Sequence, residues 1–477
     1  MFQWAYRGVG MTLIDCLHVC NPWWRGDGVE PDLLHQTIRS EFAQIVKELG
    51  GEKTIALAGP RGGGKTTLLF QAVHYLLQMK VPRERILFFS GDDPSLFIHN
   101  LHAQDVVMAY CTGVLREEPE LLAQPVYVLI DEAHRVRGWR LFVQRCREKG
   151  WRFRFLVAAP MPQLLFPPGS EALQEKARLC SVAPLCAPQF LEFYCTYHEA
   201  DFDHAAYKSR LPGFDVFAQP EAYARALREQ AGALEPFRAG KRNILNQYLL
   251  AGGYPGYFAA RDMAAWHRRL FDEMIEHSLY SDLLSNYAIK SPEKLKKLLY
   301  YLAFLEGREQ AYAGIGKYLS LNTVTVMHHL RLLSDDRIAV VCEYYKENMA
   351  GVLRKNKRFY LRDCGMKHAL LHRNTFTPEE HARACREAVL TMLFEFAEKN
   401  GGRVWYWRSA KKQAVFVLER RGQMLPVQFL TGLDAGQESP RALQSFCRAF
   451  SHTGGLVITR ETLDVRGGVT YIPLWML

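Results

Sequence analysis

A chain of 477 residues with an apolar share of 48% has ample material for packed cores, which excludes a disordered or low-complexity protein and predicts about two to four globular domains. Sixty Lys and Arg against 50 Asp and Glu leave a formal charge of +10, which favours an acidic partner such as nucleic acid but speaks of association, not of fold. Eleven scattered cysteines without a CxxC pair offer no four-ligand zinc pattern and read as the reduced thiols of a cytosolic protein.

The opening Met1-Phe2-Gln3-Trp4-Ala5-Tyr6-Arg7 does not lead into an apolar signal core. The longest apolar runs, such as the one from Leu298 to Leu305, fall short of the about 18 residues that a membrane span needs, so a soluble, cytoplasmic protein is expected. From about residue 53 to about 195, short β-branched or aromatic runs alternate with longer helical stretches, the pattern of a parallel sheet with crossover helices. The predicted strands are Thr54–Ala58, Ile86–Ser90, Val126–Ile130 and Phe153–Ala158, bounded by Gly, Pro and Asp.

Residues 197 to about 290 read as mainly helical, a lid or linker interrupted by the turn Gly252-Gly253-Tyr254-Pro255-Gly256. Next come a helix over Pro292–Leu305, a shorter one over Gly314–Leu319 and a third over Asn322–Leu333, followed by the runs Ile338–Tyr345 and Lys357–Leu361. That order is the outline of a winged helix. The last segment opens with a helix near residue 378 and offers strands at Val404–Trp407, Ala414–Glu419 and Met424–Phe429, a small α/β domain.

One motif carries chemistry. Gly59-Pro60-Arg61-Gly62-Gly63-Gly64-Lys65-Thr66 has the spacing GxxxxGK[ST], follows an apolar strand and leads into a helix that starts at Thr67. The glycines let successive backbone N–H groups face phosphate oxygens, and the helix adds its positive end. Lys65 is expected to reach the β- and γ-phosphates of ATP, and Thr66 to offer its hydroxyl to Mg²⁺. Downstream, the buried run Val126-Tyr127-Val128-Leu129-Ile130 ends in Asp131-Glu132, where such an enzyme needs a carboxylate for the metal and another to orient or deprotonate the attacking water. Asp131 takes the first role and Glu132 the second, so the expected activity is ATP hydrolysis.

These residues, together with Asn21-Pro22-Trp23-Trp24, Ala133-His134-Arg135-Val136, Gly138-Trp139 and Ala251-Gly252-Gly253-Tyr254-Pro255, resemble those of a known family. It comprises AAA+-superfamily P-loop ATPases of bacteria and archaea with a C-terminal restriction-endonuclease-like domain of the PD-(D/E)XK type. The resemblance covers nearly the whole chain. It implies an AAA+-like core over 1–195, a helical lid or linker over 196–290, a winged helix over 291–372 and a nuclease-like domain over 373–477. The family's polar residue after the fourth strand falls here on Val157-Ala158-Ala159-Pro160, without a hydroxyl to sense the γ-phosphate. Its Gly-Arg ahead of Pro-Leu appears as Ala177-Arg178 ahead of Pro184-Leu185, which makes Arg178 a candidate arginine finger for a neighbouring subunit and implies a homo-oligomer.

The nuclease-like segment departs furthest from the family. Where clustered carboxylates and a lysine would hold Mg²⁺, the chain has Val415, Gln428 and Leu430, and only Glu387 on the preceding helix still matches. A lone carboxylate assembles no metal site, so this domain is read as catalytically inactive.

Basic residues cluster at Arg135, Arg137, Arg140, Arg145, Arg147, Lys149, Arg152 and Arg154, and at Arg354, Lys355, Lys357 and Arg358 in the expected wing. Each could bind DNA phosphate without reading sequence, or form an ordinary solvated face. Trp405, Tyr406 and Trp407 could stack on bases or fill a core, and Trp23 and Trp24 could stack adenine or anchor the N-terminal segment. Two functions follow: an oligomeric ATPase that couples nucleotide state to DNA engagement, or an ATP-gated switch acting on a protein partner with little turnover.

Overall fold

Five short strands make the first sheet: Thr54–Ala58 (β1), Ile86–Ser90 (β2), Val126–Asp131 (β3), Phe153–Ala159 (β4) and Ala177–Ser181 (β5). All pair in parallel, in the order β2-β3-β4-β1-β5. β1 is buried along its whole length, as a strand covered on both faces must be. Four of the five strands are those expected. β5 is not legible in the sequence because an edge strand can leave charge outside: Cys180 is buried, while Arg178 and Leu179 are exposed.

This computed structural model describes residues 12–35, 37–94, 101–198, 202–276, 292–346, 356–408, 413–430 and 440–477. The chain divides into two compact units, Met1–Ala183 and Pro184–Leu477. The helix Ala187–Tyr197, which the alternation of elements assigns to the first domain, belongs to the second unit.

At the free edge of β2 the first unit uses side chains in place of another strand. Asn21 accepts from Phe88 N at 2.6 Å and donates to Phe88 O at 2.9 Å, as a neighbouring strand would. Trp23 and Trp24 both donate their indole N–H to Ile86 O, at 3.0 and 2.9 Å. Trp24 also stacks on Tyr110 with centroids 5.5 Å apart. These tryptophans therefore anchor the N-terminal segment and close a sheet edge that would otherwise invite pairing.

In the second unit the helices His204–Lys208, Pro220–Leu234, Arg238–Ala251 and Met263–Arg269 precede Pro292–Leu305, in keeping with the expected helical stretch. The Gly252-Gly253 turn is held by Asp363, whose carboxylate accepts from Gly253 N at 2.6 Å. A Cβ on Gly253 would lie 2.0 Å from Leu185 O, so the turn requires glycine for close packing.

A mixed sheet of nine strands follows: Glu309–Gln310 (β6), Ala339–Tyr344 (β7), Lys357–Leu361 (β8), Arg403–Trp407 (β9), Val415–Arg420 (β10), Gln423–Leu430 (β11), Gly455–Thr459 (β12), Asp464–Arg466 (β13) and Val469–Pro473 (β14). Their order is β13-β14-β12-β11-β10-β9-β7-β8-β6. β7 pairs in parallel with β9, Glu343 opposite Trp405, so the segments expected as separate domains on either side of residue 372 share one sheet. Trp405, Tyr406 and Trp407 are buried, with Trp407 edge-on to Phe446 at 5.5 Å. They are core residues and offer no stacking platform for bases. No helix among the described residues is long and apolar enough to cross a membrane, and all eleven cysteines are free thiols.

Candidate nucleotide site

The phosphate loop leaves the C-terminal end of β1 and enters the helix Lys65–Gln78, the carboxyl edge where parallel sheets bind ligands. Gly62 and Gly64 take φ of +75° and +95°, which a side chain would strain. The loop curls round Lys65, whose ammonium is buried and donates to Gly59 O at 2.8 Å and Pro60 O at 3.2 Å. Thr66 Oγ1 donates to Asp131 Oδ2 at 2.6 Å, and Asp131 Oδ1 accepts from Glu132 N at 3.0 Å. Lys65, Thr66 and Asp131, predicted from stretches of sequence 65 residues apart, thus meet at one point.

Burial pushes the Asp131 carboxyl above its usual range, against the pull of the Thr66 hydrogen bond and the Lys65 charge. A buried carboxylate that prefers neutrality gains most from a cation. The curled loop, the buried lysine and the hydroxyl–carboxylate pair therefore fit the phosphates of ATP with Mg²⁺ held by Thr66 and Asp131. Glu132 follows in the left-handed region, φ 45° and ψ 43°, with its carboxylate 3.5 Å from His134 Nδ1. The end of β4, where a hydroxyl is missing, lies beside β1 with Ala159 opposite Ala58. Arg178 is not part of this cluster: it stands exposed on β5 opposite Ile55, upstream of the Ala58–Ser181 pair that adjoins the loop.

Three contributors escape the sequence reading. Arg39 is buried behind the loop and donates to Gly63 O and Ala183 O, both at 2.6 Å, while its Nε lies 3.3 Å from Glu41. No pattern marks it. Asp92 follows β2 and receives two guanidinium groups, Arg61 at 3.1 Å and Arg135 at 2.6 Å. Arg135 is visible in the sequence only within the family-like stretch Ala133–Val136 and as one member of a basic cluster, with no role attached.

Part of that cluster is engaged by the protein's own oxygens. Arg140 donates to Leu164 O and Leu165 O, Arg147 to Thr54 Oγ1 and Lys176 O, and Arg152 to Ala123 O. In the expected wing, Arg354 and Lys355 lie outside the described residues. Lys357 is buried with its ammonium over the Tyr312 ring, and Arg358 donates to Gly307 O and Glu309. These hydrogen bonds commit part of the charge within the protein, while Arg137, Arg145, Lys149 and Arg152 stay exposed.

Residues 51–191 match a family model described as an AAA domain, and residues 242–377 match one described as a domain of unknown function. An uncharacterized protein of Methanocaldococcus jannaschii is 25% identical over 458 residues, which cover 93% of this chain and 87% of that protein. Among solved structures, the Walker-type ATPase of Pyrococcus abyssi aligns with a TM-score of 0.41 and 14% identity, over 71% of this chain and 99% of its own. The Orc1 protein of Aeropyrum pernix, solved in complex with DNA, aligns with a TM-score of 0.31 and 12% identity, over 73% of this chain and 96% of its own. The family match spans both the phosphate loop and the strand that ends in Asp131, and the first unit is a P-loop domain of the AAA type.

Proposed function

We propose that this protein binds and hydrolyses ATP at the loop Gly59–Thr66 and uses its nucleotide state to control engagement of a macromolecular partner by its second unit. The observation that carries the first half is the 2.6 Å contact between Thr66 and Asp131 beside the buried Lys65. In this reading Lys65 exchanges its two loop carbonyls for phosphate oxygens, and the backbone N–H groups from Arg61 to Thr67 line the remainder of the phosphate chain. Thr66 and Asp131 hold Mg²⁺, which when bound neutralises charge on the phosphates. Glu132, in the left-handed region directly after β3, orients or deprotonates water.

The partner reading rests on the second unit. A long helix, a short strand, two further helices and a hairpin with β6 paired to β8 support a winged-helix reading. The later order of helix, three antiparallel strands, helix and parallel strand supports a restriction-endonuclease-like domain. What fills the key positions supports reading it as inactive. Val415 and Leu430 are core residues, Gln428 accepts from Leu443 N at 2.7 Å, and Glu387 is paired with Lys367 at 3.3 Å.

DNA remains one partner for the winged helix. A protein partner is favoured by the helix Thr323–Asp335, where Val324 and Met327 are exposed three residues apart, while Lys357 and Arg358 of the hairpin are engaged internally. Arg178 on its exposed edge strand suits contact with a second copy, the basis for proposing a homo-oligomer with a finger supplied in trans. The test is steady-state ATP turnover with and without duplex DNA at low and moderate salt, with Lys65→Ala as the blank. DNA-stimulated, salt-sensitive turnover supports the DNA reading, and turnover indifferent to DNA supports the protein partner. Turnover unaffected by Lys65→Ala rejects the site.

A further inference from the structure

We propose that Arg61 and Arg135, held together by Asp92, recognise the terminal phosphate of ATP from within the same subunit and so distinguish ATP from ADP. The proposal rests on the nucleotide reading given above and adds to it the residues that sense the third phosphate.

Three segments converge at the carboxyl edge of the sheet. Arg61 belongs to the phosphate loop itself, two residues after Gly59, Asp92 follows the end of β2, and Arg135 follows Asp131 and Glu132 at the end of β3. One carboxylate serves two guanidinium groups, at 3.1 and 2.6 Å, so the trio carries a net positive charge. None of the three is buried: their side chains retain 22%, 34% and 23% of their exposure, in the order Arg61, Asp92, Arg135. Partly exposed ion pairs are weak and exchangeable, whereas the doubly charged end of a triphosphate offers oxygens in the geometry that a guanidinium fork binds best. Ser90 pairs with Asp131, and Gly91 N, one residue before Asp92, donates to Asp131 O at 2.9 Å, which puts the trio at the edge that holds the metal pair.

A need for such a sensor is visible in the same site. At the end of β4, beside the loop, stand Ala158, Ala159 and Pro160, which have no side-chain hydroxyl or amide. A diphosphate held by Lys65 and the loop amides would leave the arginines on Asp92. A triphosphate would draw them off, and Asp92 would act as the competing ligand that sets how strongly.

The test is equilibrium binding of the fluorescent magnesium complexes of ADP and of a non-hydrolysable ATP analogue to the full-length protein. It compares wild type, Arg135→Ala, Arg135→Lys, Asp92→Asn and Lys65→Ala, each checked by its melting curve. Arg135→Ala is expected to weaken the triphosphate by about tenfold or more while ADP stays within about twofold. Arg135→Lys should recover part of that loss, and Asp92→Asn should tighten the triphosphate severalfold by removing the competitor. Equal weakening of both nucleotides by Arg135→Ala, no change in either, or a looser triphosphate in Asp92→Asn overturns the proposal. Lys65→Ala separates it from the reading beneath it: wild-type binding of both nucleotides by that variant overturns the site itself, whatever Arg135 does.

Discussion

Replacing Arg39 with methionine is expected to damage both the stability of the first unit and its grip on nucleotide. The guanidinium spans three partners: Gly63 O within the phosphate loop, Ala183 O just beyond β5, and the carboxylate of Glu41. Arginine and glutamate are each 5% exposed. Methionine fills a similar volume but takes the guanidinium away from two carbonyls and a buried carboxylate. Breaking one side of a buried pair costs about 3–5 kcal/mol, and Ser40, 3.3 Å from Glu41, offsets part of it, so about 3 kcal/mol is expected. For a domain of this size that lowers Tm by about 6–12 °C. ATP affinity should fall as well, because Gly63 lies in the loop whose shape the amides depend on. Arg39→Met/Glu41→Leu should recover part of the stability by removing the buried carboxylate together with the guanidinium, without restoring the loop contact. A Tm within about 2 °C of wild type, with unchanged nucleotide affinity, would refute the reasoning.

Glu132→Gln should bind ATP as the wild type does while turnover falls by about 10²-fold or more; measured by single-turnover hydrolysis, a normal rate removes Glu132 as the base. Asn21→Leu should strip hydrogen bonds from Phe88 N, Phe88 O and Leu17 O, costing roughly 2–4 kcal/mol in chemical denaturation and exposing the β2 edge to aggregation, read by light scattering. His368 is buried without a hydrogen bond at either ring nitrogen, and burial lowers its pKa to about 3. Its folded pKa is depressed, so the unfolded chain takes up the proton first. Stability is then complete above the ordinary histidine pKa of about 6.5 and is lost as pH falls towards 3, by up to about 5 kcal/mol. His368→Leu should flatten that acid limb in denaturation curves at pH 4 to 7, and an unchanged limb shows that another group titrates.

How far the sequence was readable depended on whether a residue's role was set by its neighbours in the chain or by distant partners. Buried parallel strands must be apolar almost throughout, so β1 to β4 announced themselves, and the phosphate loop announced itself because its spacing is dictated by the ligand. The carboxylate after β3 followed from the same logic. β5 did not, since an edge strand that buries only part of its surface can read Ala-Arg-Leu-Cys-Ser. Arg39 had no local signature at all: it is 24 residues from one carbonyl partner and 144 from the other. Tryptophan and asparagine near residue 21 were visible as a motif, but closing a sheet edge with an amide that imitates a strand is a tertiary fact.

The basic residues show where reading a sequence by charge breaks down. A formal charge of +10 is a sum over side chains, and it treats each guanidinium as if it met solvent. Arg140, Arg147, Arg152 and Arg358 instead spend donors on backbone carbonyls, a task for which five N–H groups on a long stem suit arginine better than any other residue. Their charge still contributes to the long-range field, but these hydrogen bonds compete with any made to a phosphate backbone. Arg61 and Arg135 both count among their partners Asp92, itself a partly exposed ion for which a phosphate can substitute. Among these arginines, the pair beside the phosphate loop is therefore the one built to change hands, and the nucleotide is the anion nearest to take it.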